Sequence, residues 1–246
     1  TTSGDTISAN IIGELTISSY PDGVTVNNIK TVIVGTSVTS IGTEAFSEAK
    51  SLTSITIPDS VTQILSRAFE VTSLTSINIP NTVTVIGSYA FRDASSLTTI
   101  AIPDGVTRIN DYAFHKASSL NSVTFGANSQ LTSIGYDAFY KTALTTIVIP
   151  NGVTSIGDYA FNGTTSLASI TIPDSVTLGS GTFNDISTNP TVYVADVSPN
   201  VTFDEFKYIF NASTNRDETI IYVDLSVTSF ELNVCDPGTD IFYTPS

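Results

Sequence analysis

Residues 51–69 read Ser51-Leu-Thr-Ser-Ile-Thr-Ile-Pro-Asp-Ser-Val-Thr-Gln-Ile-Leu-Ser-Arg-Ala-Phe69. The same grammar returns from Leu74, Leu97, Leu120, Leu144 and Leu167, with a less regular copy from Ile29. Five apolar columns recur through these seven copies. The second column is Val32, Ile55, Ile77, Ile100, Val123, Ile147 and Ile170. The last is aromatic throughout: Phe46, Phe69, Phe91, Phe114, Phe139, Phe161 and Phe183. Self-similarity at a period of about 23 residues marks a stacked-coil architecture.

The columns have a physical reading. In Leu52-x-x-Ile55-x-Ile57 the last two apolar side chains alternate along a short strand and share one face. Pro58 has no N–H for a ladder and ends that strand. Asp59-Ser60 turns the chain, and Val61 and Ile64 re-enter the core on a second extended run. Gly42, Gly87, Gly135 and Gly157 are expected to allow a further bend, and an Ala-Phe pair closes the coil. One such coil cannot cover its own apolar face, so coils must stack. At about 4.8 Å per strand spacing, seven of them predict a rod of roughly 30–35 Å. The predicted fold is mainly β, a solenoid of about seven coils of 22–25 residues.

The pattern Leu-Thr-Ser-Ile-Thr-Ile-Pro-Asp-Ser-Val-Thr-x-Ile-Gly-x-x-Ala-Phe resembles the BspA-like (Treponema pallidum-type) leucine-rich repeats over about residues 28–185. The resemblance implies a leucine-rich-repeat solenoid displayed on a surface. Members occur on bacteria, protists and some large viruses, and many are implicated in adhesion to host proteins or other cells. The family often carries Cys just before the Ser-Leu of the next coil. Here that column reads Ala49, Val71, Ala94, Ala117, Thr142 and Thr164, still small.

A solenoid needs capped ends, because its terminal coils otherwise expose apolar edges and unpaired strand groups. Residues 1–27 are assigned to an N-terminal cap, with 6–18 as a hairpin turning at Gly13-Glu14. Residues 186–225 read as a C-terminal strand–helix–strand cap. Its strands are Thr191–Val194 and Thr219–Val223, and Thr202-Phe-Asp-Glu205 is a capping box opening the helix. Residues 226–246 are an arm, or the opening strand of a further domain. With no methionine present, Thr1 is expected to be a processed or trimmed end.

Charged residues make up only 13% of the chain, and the formal net charge is -14. That sign repels nucleic-acid backbones and anionic lipid surfaces. No apolar run approaches the length of a membrane span. Cys235 is the single cysteine, so no intrachain disulfide can form. Asn162, Asn200 and Asn211 begin glycosylation sequons, which permit a secretory route.

Acid–base or nucleophilic catalysis needs convergent titratable groups, and the sequence offers few. His115 is the only histidine. Its column elsewhere holds Ser47, Glu70, Arg92, Tyr140, Asn162 and Asn184, a variety that reads as solvent-facing. Cys235 has no histidine near it in sequence. Asp59, Asp104 and Asp174, with Asn81 and Asn151, recur after the strand-ending proline and offer oxygen donors for calcium. Each coil supplies only one of them, and turn chemistry explains the residue type. No enzyme activity, cofactor or metal is expected.

Two kinds of surface remain. Facing out from the main sheet, Thr31, Ser54, Ser76, Thr99, Ser122, Thr146 and Ser169 form a hydroxyl ladder, expected either to stiffen the stack by bonding between rungs or to face a glycan. Around each closing Phe stand Tyr89, Arg92, Tyr112, His115, Tyr136, Tyr140 and Tyr159, the residue types that dominate protein interfaces. The chain therefore reads as a non-catalytic extracellular or cell-surface module (a virion surface included) recognising protein or glycan. The alternative is a structural unit of a surface layer, filament or virion, self-associating through its caps and C-terminal arm.

Overall fold

Each copy forms one coil, and coils 1 to 7 close on Phe46, Phe69, Phe91, Phe114, Phe139, Phe161 and Phe183. The computed structural model describes residues 6–9, 13–16, 26–173, 176–186, 190–195 and 222–224. The chain returns to the same place after each full coil, so every strand pair among the described residues is parallel. First runs such as Thr31–Val34, Ser54–Thr56, Thr99–Ile102, Ser122–Phe125, Thr146–Val148 and Ser169–Pro173 build the main sheet. In coil 3 that strand is reduced to the bridge between Ser76 and Thr99. The second runs, from Val38–Ile41 to Thr177–Leu178, build a narrower sheet.

Alternation does the sorting. In Thr99–Ile102, Ile100 and Ile102 are buried while Thr99 and Ala101 face out. The columns merge into one apolar core along the stack. The seven Phe rings form a continuous pile, with neighbouring centroids 5.3–5.7 Å apart and planes within 15°. Aromatic rings at that spacing gain attraction beyond the area they bury. The backbone joins the pile as well: Phe69 N–H donates to Ala90 O at 2.8 Å, and Phe114 N–H to Ala138 O at 2.9 Å.

Each Phe is bracketed by two left-handed residues, two positions before and two after, for example Tyr112 (φ 59°) and Lys116 (φ 56°). This conformation costs an L-residue roughly 1–2 kcal/mol. It aims N–H groups at the next coil, where Tyr112 N–H meets Tyr136 O and Lys116 N–H meets Tyr140 O, both at 2.8 Å. The strain is thus held by inter-coil bonds.

Three expectations need correction. Gly42, Gly87, Gly135 and Gly157 do not supply a special bend, since none has positive φ. They permit close approach: a Cβ on Gly87 would lie 2.6 Å from backbone atoms of Leu65 and Ser66, and one on Gly157 2.8 Å from Gly135 C and Tyr136 N. In coil 2 the small column is filled by Thr72, 2% exposed, rather than Val71. Thr72 Oγ1 donates to Phe69 O, whereas Val71 takes the left-handed turn position. At the N-terminus, Thr6–Ala9 and Gly13–Leu15 are strands, but each pairs in parallel with a different run of coil 1, through Thr31–Val34 and Val38–Ile41. They follow the path of a coil, not of a hairpin. Thr191–Ala195 joins the main sheet beside Ser169–Pro173, followed by Tyr222–Asp224. The helix read at 202–210 and the arm 226–246 lie outside the described residues.

Candidate recognition surface

The left-handed turns project side chains from one flank of the stack, and the flank carries its own ladder. Tyr89 and Tyr112 stack at 4.6 Å; Tyr136 meets Tyr112 at 5.2 Å and Tyr159 at 5.9 Å, edge-on to the latter. Burial, then the neighbouring Tyr136 and Tyr89, raise the Tyr112 phenol above its ordinary value. Glu70, 8% exposed, accepts from Arg92 Nη1 at 3.1 Å and pairs with Arg67. Both guanidinium groups lie within 6 Å of the Tyr89 ring, at 5.0 and 5.8 Å. Cations at that range are attracted to the ring face. Tyr140 stacks on His115 at 4.6 Å and carries Lys141 Nζ 5.1 Å from its centroid. The seven flank residues singled out from sequence therefore form one contiguous strip along coils 3 to 6.

The hydroxyl ladder is in register on the sheet, Thr31 opposite Ser54, Thr99 opposite Ser122 and Thr146 opposite Ser169. In backbone register Thr6 lies opposite Thr31 and Thr191 opposite Ser169, pairings that the repeat pattern alone did not reveal. Inter-coil stiffening by hydroxyls belongs to other threonines: Thr62, Thr84, Thr132 and Thr154 on the second run donate to backbone carbonyls of the preceding coil. Among the described residues, the main-sheet hydroxyls make no such bond.

A sequence model described as BspA type leucine rich repeat region matches residues 24–131 and 132–231. The chain belongs to this BspA-type leucine-rich repeat family. Similar solved structures include a leucine-rich repeat protein from Bacteroides ovatus, 26% identical, covering 68% of this chain and 56% of that one, with a TM-score of 0.46. The T. pallidum leucine rich repeat protein is 24% identical over 74% of this chain and 76% of its own, with a TM-score of 0.46. A leucine rich cell surface protein from Faecalibacterium prausnitzii is 27% identical over 77% and 64%, with a TM-score of 0.36. The chain thus spans little more than half the length of the Bacteroides structure, at 56%. No curated protein matches it. BspA-type repeats are a protein-interaction fold and generally a non-catalytic scaffold.

Among the described residues there is no helix long and apolar enough to cross a membrane, and no group of three or more His, Cys, Asp or Glu suited to a metal. Asp174 lies outside the described residues. Asn162 is 8% exposed, which disfavours it as a glycan attachment point. Asn200, Asn211 and Cys235 lie outside the described residues.

His115 also departs from its sequence reading. Its column is half-buried rather than solvent-facing: the His115 side chain is 12% exposed and its Nδ1 is buried without a hydrogen bond, 3.8 Å from Asp137 Oδ2. Coil 5 places Asp137 where coils 3, 4 and 6 have Tyr89, Tyr112 and Tyr159, with Tyr136 shifted one position earlier. Burial raises the Asp137 carboxyl to about 6. Burial, then Lys116 and Arg92, lowers His115 to about 4, with Asp93 opposing. At neutral pH the carboxylate is charged and the imidazole neutral, so the contact is not an ion pair.

The two shifts act oppositely on stability. Asp137 holds its proton more readily folded than unfolded, so its contribution grows as pH falls from about 6 towards 4. His115 holds its proton less readily folded, so its contribution is lost as pH falls from 6.5 towards about 4. Relative to the parent chain, Asp137→Asn is expected to lose thermal stability as pH falls through this window, and His115→Gln to gain it. Melting curves across that range check the pair. The same pH slope in both variants would contradict it.

Proposed function

We propose that this chain is a non-catalytic recognition module, displayed at a cell surface or outside the cell, that grips a protein partner through the flank of coils 3 to 6. The observation that supports this most is the strip from Tyr89 through Tyr112 and Tyr136 to Tyr159, with Arg67 of coil 2 over the Tyr89 ring and Tyr136 37% exposed. Tyr and Arg are enriched at binding hot spots, and Tyr brings large contact area at low conformational-entropy cost. Here the stack already fixes their rotamers, which lowers that cost further. None of these rings belongs to the apolar core.

The test is an array of extracellular proteins and glycans read with the intact chain, followed by the double variant Tyr112→Ala/Tyr159→Ala. A protein hit is expected to weaken by about tenfold or more while the melting temperature stays close to that of the parent. Unchanged binding by the variant would remove the flank as the site. Light scattering at micromolar concentration addresses the assembly reading: a monomer fits recognition, and ordered oligomers fit a structural unit.

A further inference from the structure

The main sheet is broken after coil 2, where coil 3 keeps only the bridge at Ser76, and again after coil 5. Between Phe125 and Leu131 coil 5 carries two residues more than coil 4 has between Ile102 and Val106. The insertion starts at Gly126, where a Cβ would collide with the Asp104 carboxylate of coil 4. Beside it, Ser122–Phe125 pairs with coil 4 but not with coil 6. The backbone bond that joins neighbouring coils at this level is 2.9 Å for Thr53 N–H to Lys30 O and 2.8 Å for Ala168 N–H to Thr145 O. From Thr145 N–H to Asn121 O it stretches to 3.4 Å.

The parted strands leave a cleft of about 530 Å³. Its floor is Ser122 and Thr124 from coil 5 and Thr146 and Val148 from coil 6, all facing out because Val123 and Ile147 between them are buried. The insertion walls one side and the turn at Asn151 the other. Val148 is 65% exposed, more than Ile33, Val85 or Tyr136.

We propose that this cleft binds a short neutral oligosaccharide. Its volume lies within the range of small-molecule sites, about 300–1,000 Å³. The floor hydroxyls make no hydrogen bond to the protein, and each can both donate and accept, which matches the hydroxyls of a sugar. Val148 and the half-buried Phe125 offer apolar contact to the C–H face of a ring. No charged side chain lines the cleft, although the chain as a whole carries -14, so nothing there complements an ionic ligand. In repeat proteins, insertions in single repeats map to loops on one face, often the face that binds.

The test is a titration of the isotope-labelled full chain, followed by NMR. The ligands are neutral tetrasaccharides of glucose, galactose, mannose and N-acetylglucosamine, a sulfated tetrasaccharide, and an uncharged peptide of similar mass. At least one neutral tetrasaccharide is expected to give saturable shifts confined to residues 122–130 and 146–152. Val148→Asp is then expected to weaken it by about tenfold or more, roughly the loss from placing an unpaired charge against the ligand. Ile33→Asp, on the same outward row in coil 1, is expected to leave binding unchanged. Thr146→Val provides a second variant that adds no charge, and weaker binding is again expected. No saturable shift from any neutral sugar would overturn the proposal. So would shifts on the Tyr flank instead, tighter binding of the sulfated sugar or the peptide, or indifference to both cleft variants.

Discussion

Phe114→Ala is expected to destabilise the chain by about 4 kcal/mol, the usual cost of emptying a buried aromatic site. Phe114 is 0% exposed and stacked at 5.4 Å on Phe91 and 5.3 Å on Phe139. Truncation removes one ring from the water-free core and strips a face from each neighbour, and the inter-coil backbone bonds hold the coils at a spacing that cannot collapse to fill the gap. Because each coil touches only its neighbours, a weak coil 4 also uncouples the coils before it from those after it. Denaturant unfolding is therefore expected to broaden or split as well as shift. Ile33→Ala, at a site 47% exposed, serves as the control and should stay within about 0.5 kcal/mol of the parent. A Phe114→Ala loss below about 1 kcal/mol, no more than an average substitution, would mean that the Phe pile is not the core.

Gly87→Ala separates two explanations of the repeated glycine. Were Gly87 merely a flexible residue at negative φ, Ala would stabilise by about 0.4–1 kcal/mol by narrowing the unfolded ensemble. In the stack its Cβ would instead meet Leu65 C and Ser66 N at 2.6 Å. Those are backbone atoms of the preceding coil, tied to coil 3 by the bond from Gly87 N–H to Ile64 O at 2.8 Å, so room for a Cβ requires the two coils to shift rather than one side chain to turn. The expected result is a loss of about 3 kcal/mol or more, at the upper end for overpacking. At Gly105 the nearest atom to an added Cβ is Thr84 Cγ2 at 3.2 Å, the end of a side chain. Gly105→Ala is expected to be close to neutral. Thermal unfolding of the two variants reads the difference, and a stabilised Gly87→Ala would contradict the close stacking of coils 2 and 3.

The repeat was legible because burial imposes it: every column that a coil must bury recurs in all seven copies, and the Phe and Ile positions lie where the period puts them. What the period could not convey was the relation between coils. A glycine that bends the chain and a glycine that admits a neighbouring backbone look alike in sequence, so Gly87 and Gly157 were misread. The small column as read from sequence includes Val71 in coil 2. Counting three residues on from Phe69, as Ala94 follows Phe91, leads to Thr72. Alternating residues at 6–9 and 13–15 marked strands correctly but could not name their partners. The mixed column of His115 looked solvent-facing because its cover comes from Tyr140 and Asp137 in the next coil. The flank residues were visible as types, whereas their contiguity follows from ring contacts between stacked coils. The two extra residues in coil 5 were countable, but the gap they accompany in the main sheet appears only in three dimensions.

Amide hydrogen exchange at Phe69, Phe91, Phe114 and Phe139 is the most direct test of coil-on-coil stacking. Their N–H groups donate to the next coil at 2.8–2.9 Å, so exchange requires two coils to part. Slow exchange at all four, with the central pair at least as protected as the outer pair, is the expected result. Rapid exchange at Phe91 and Phe114 in a chain that is otherwise folded would contradict the account.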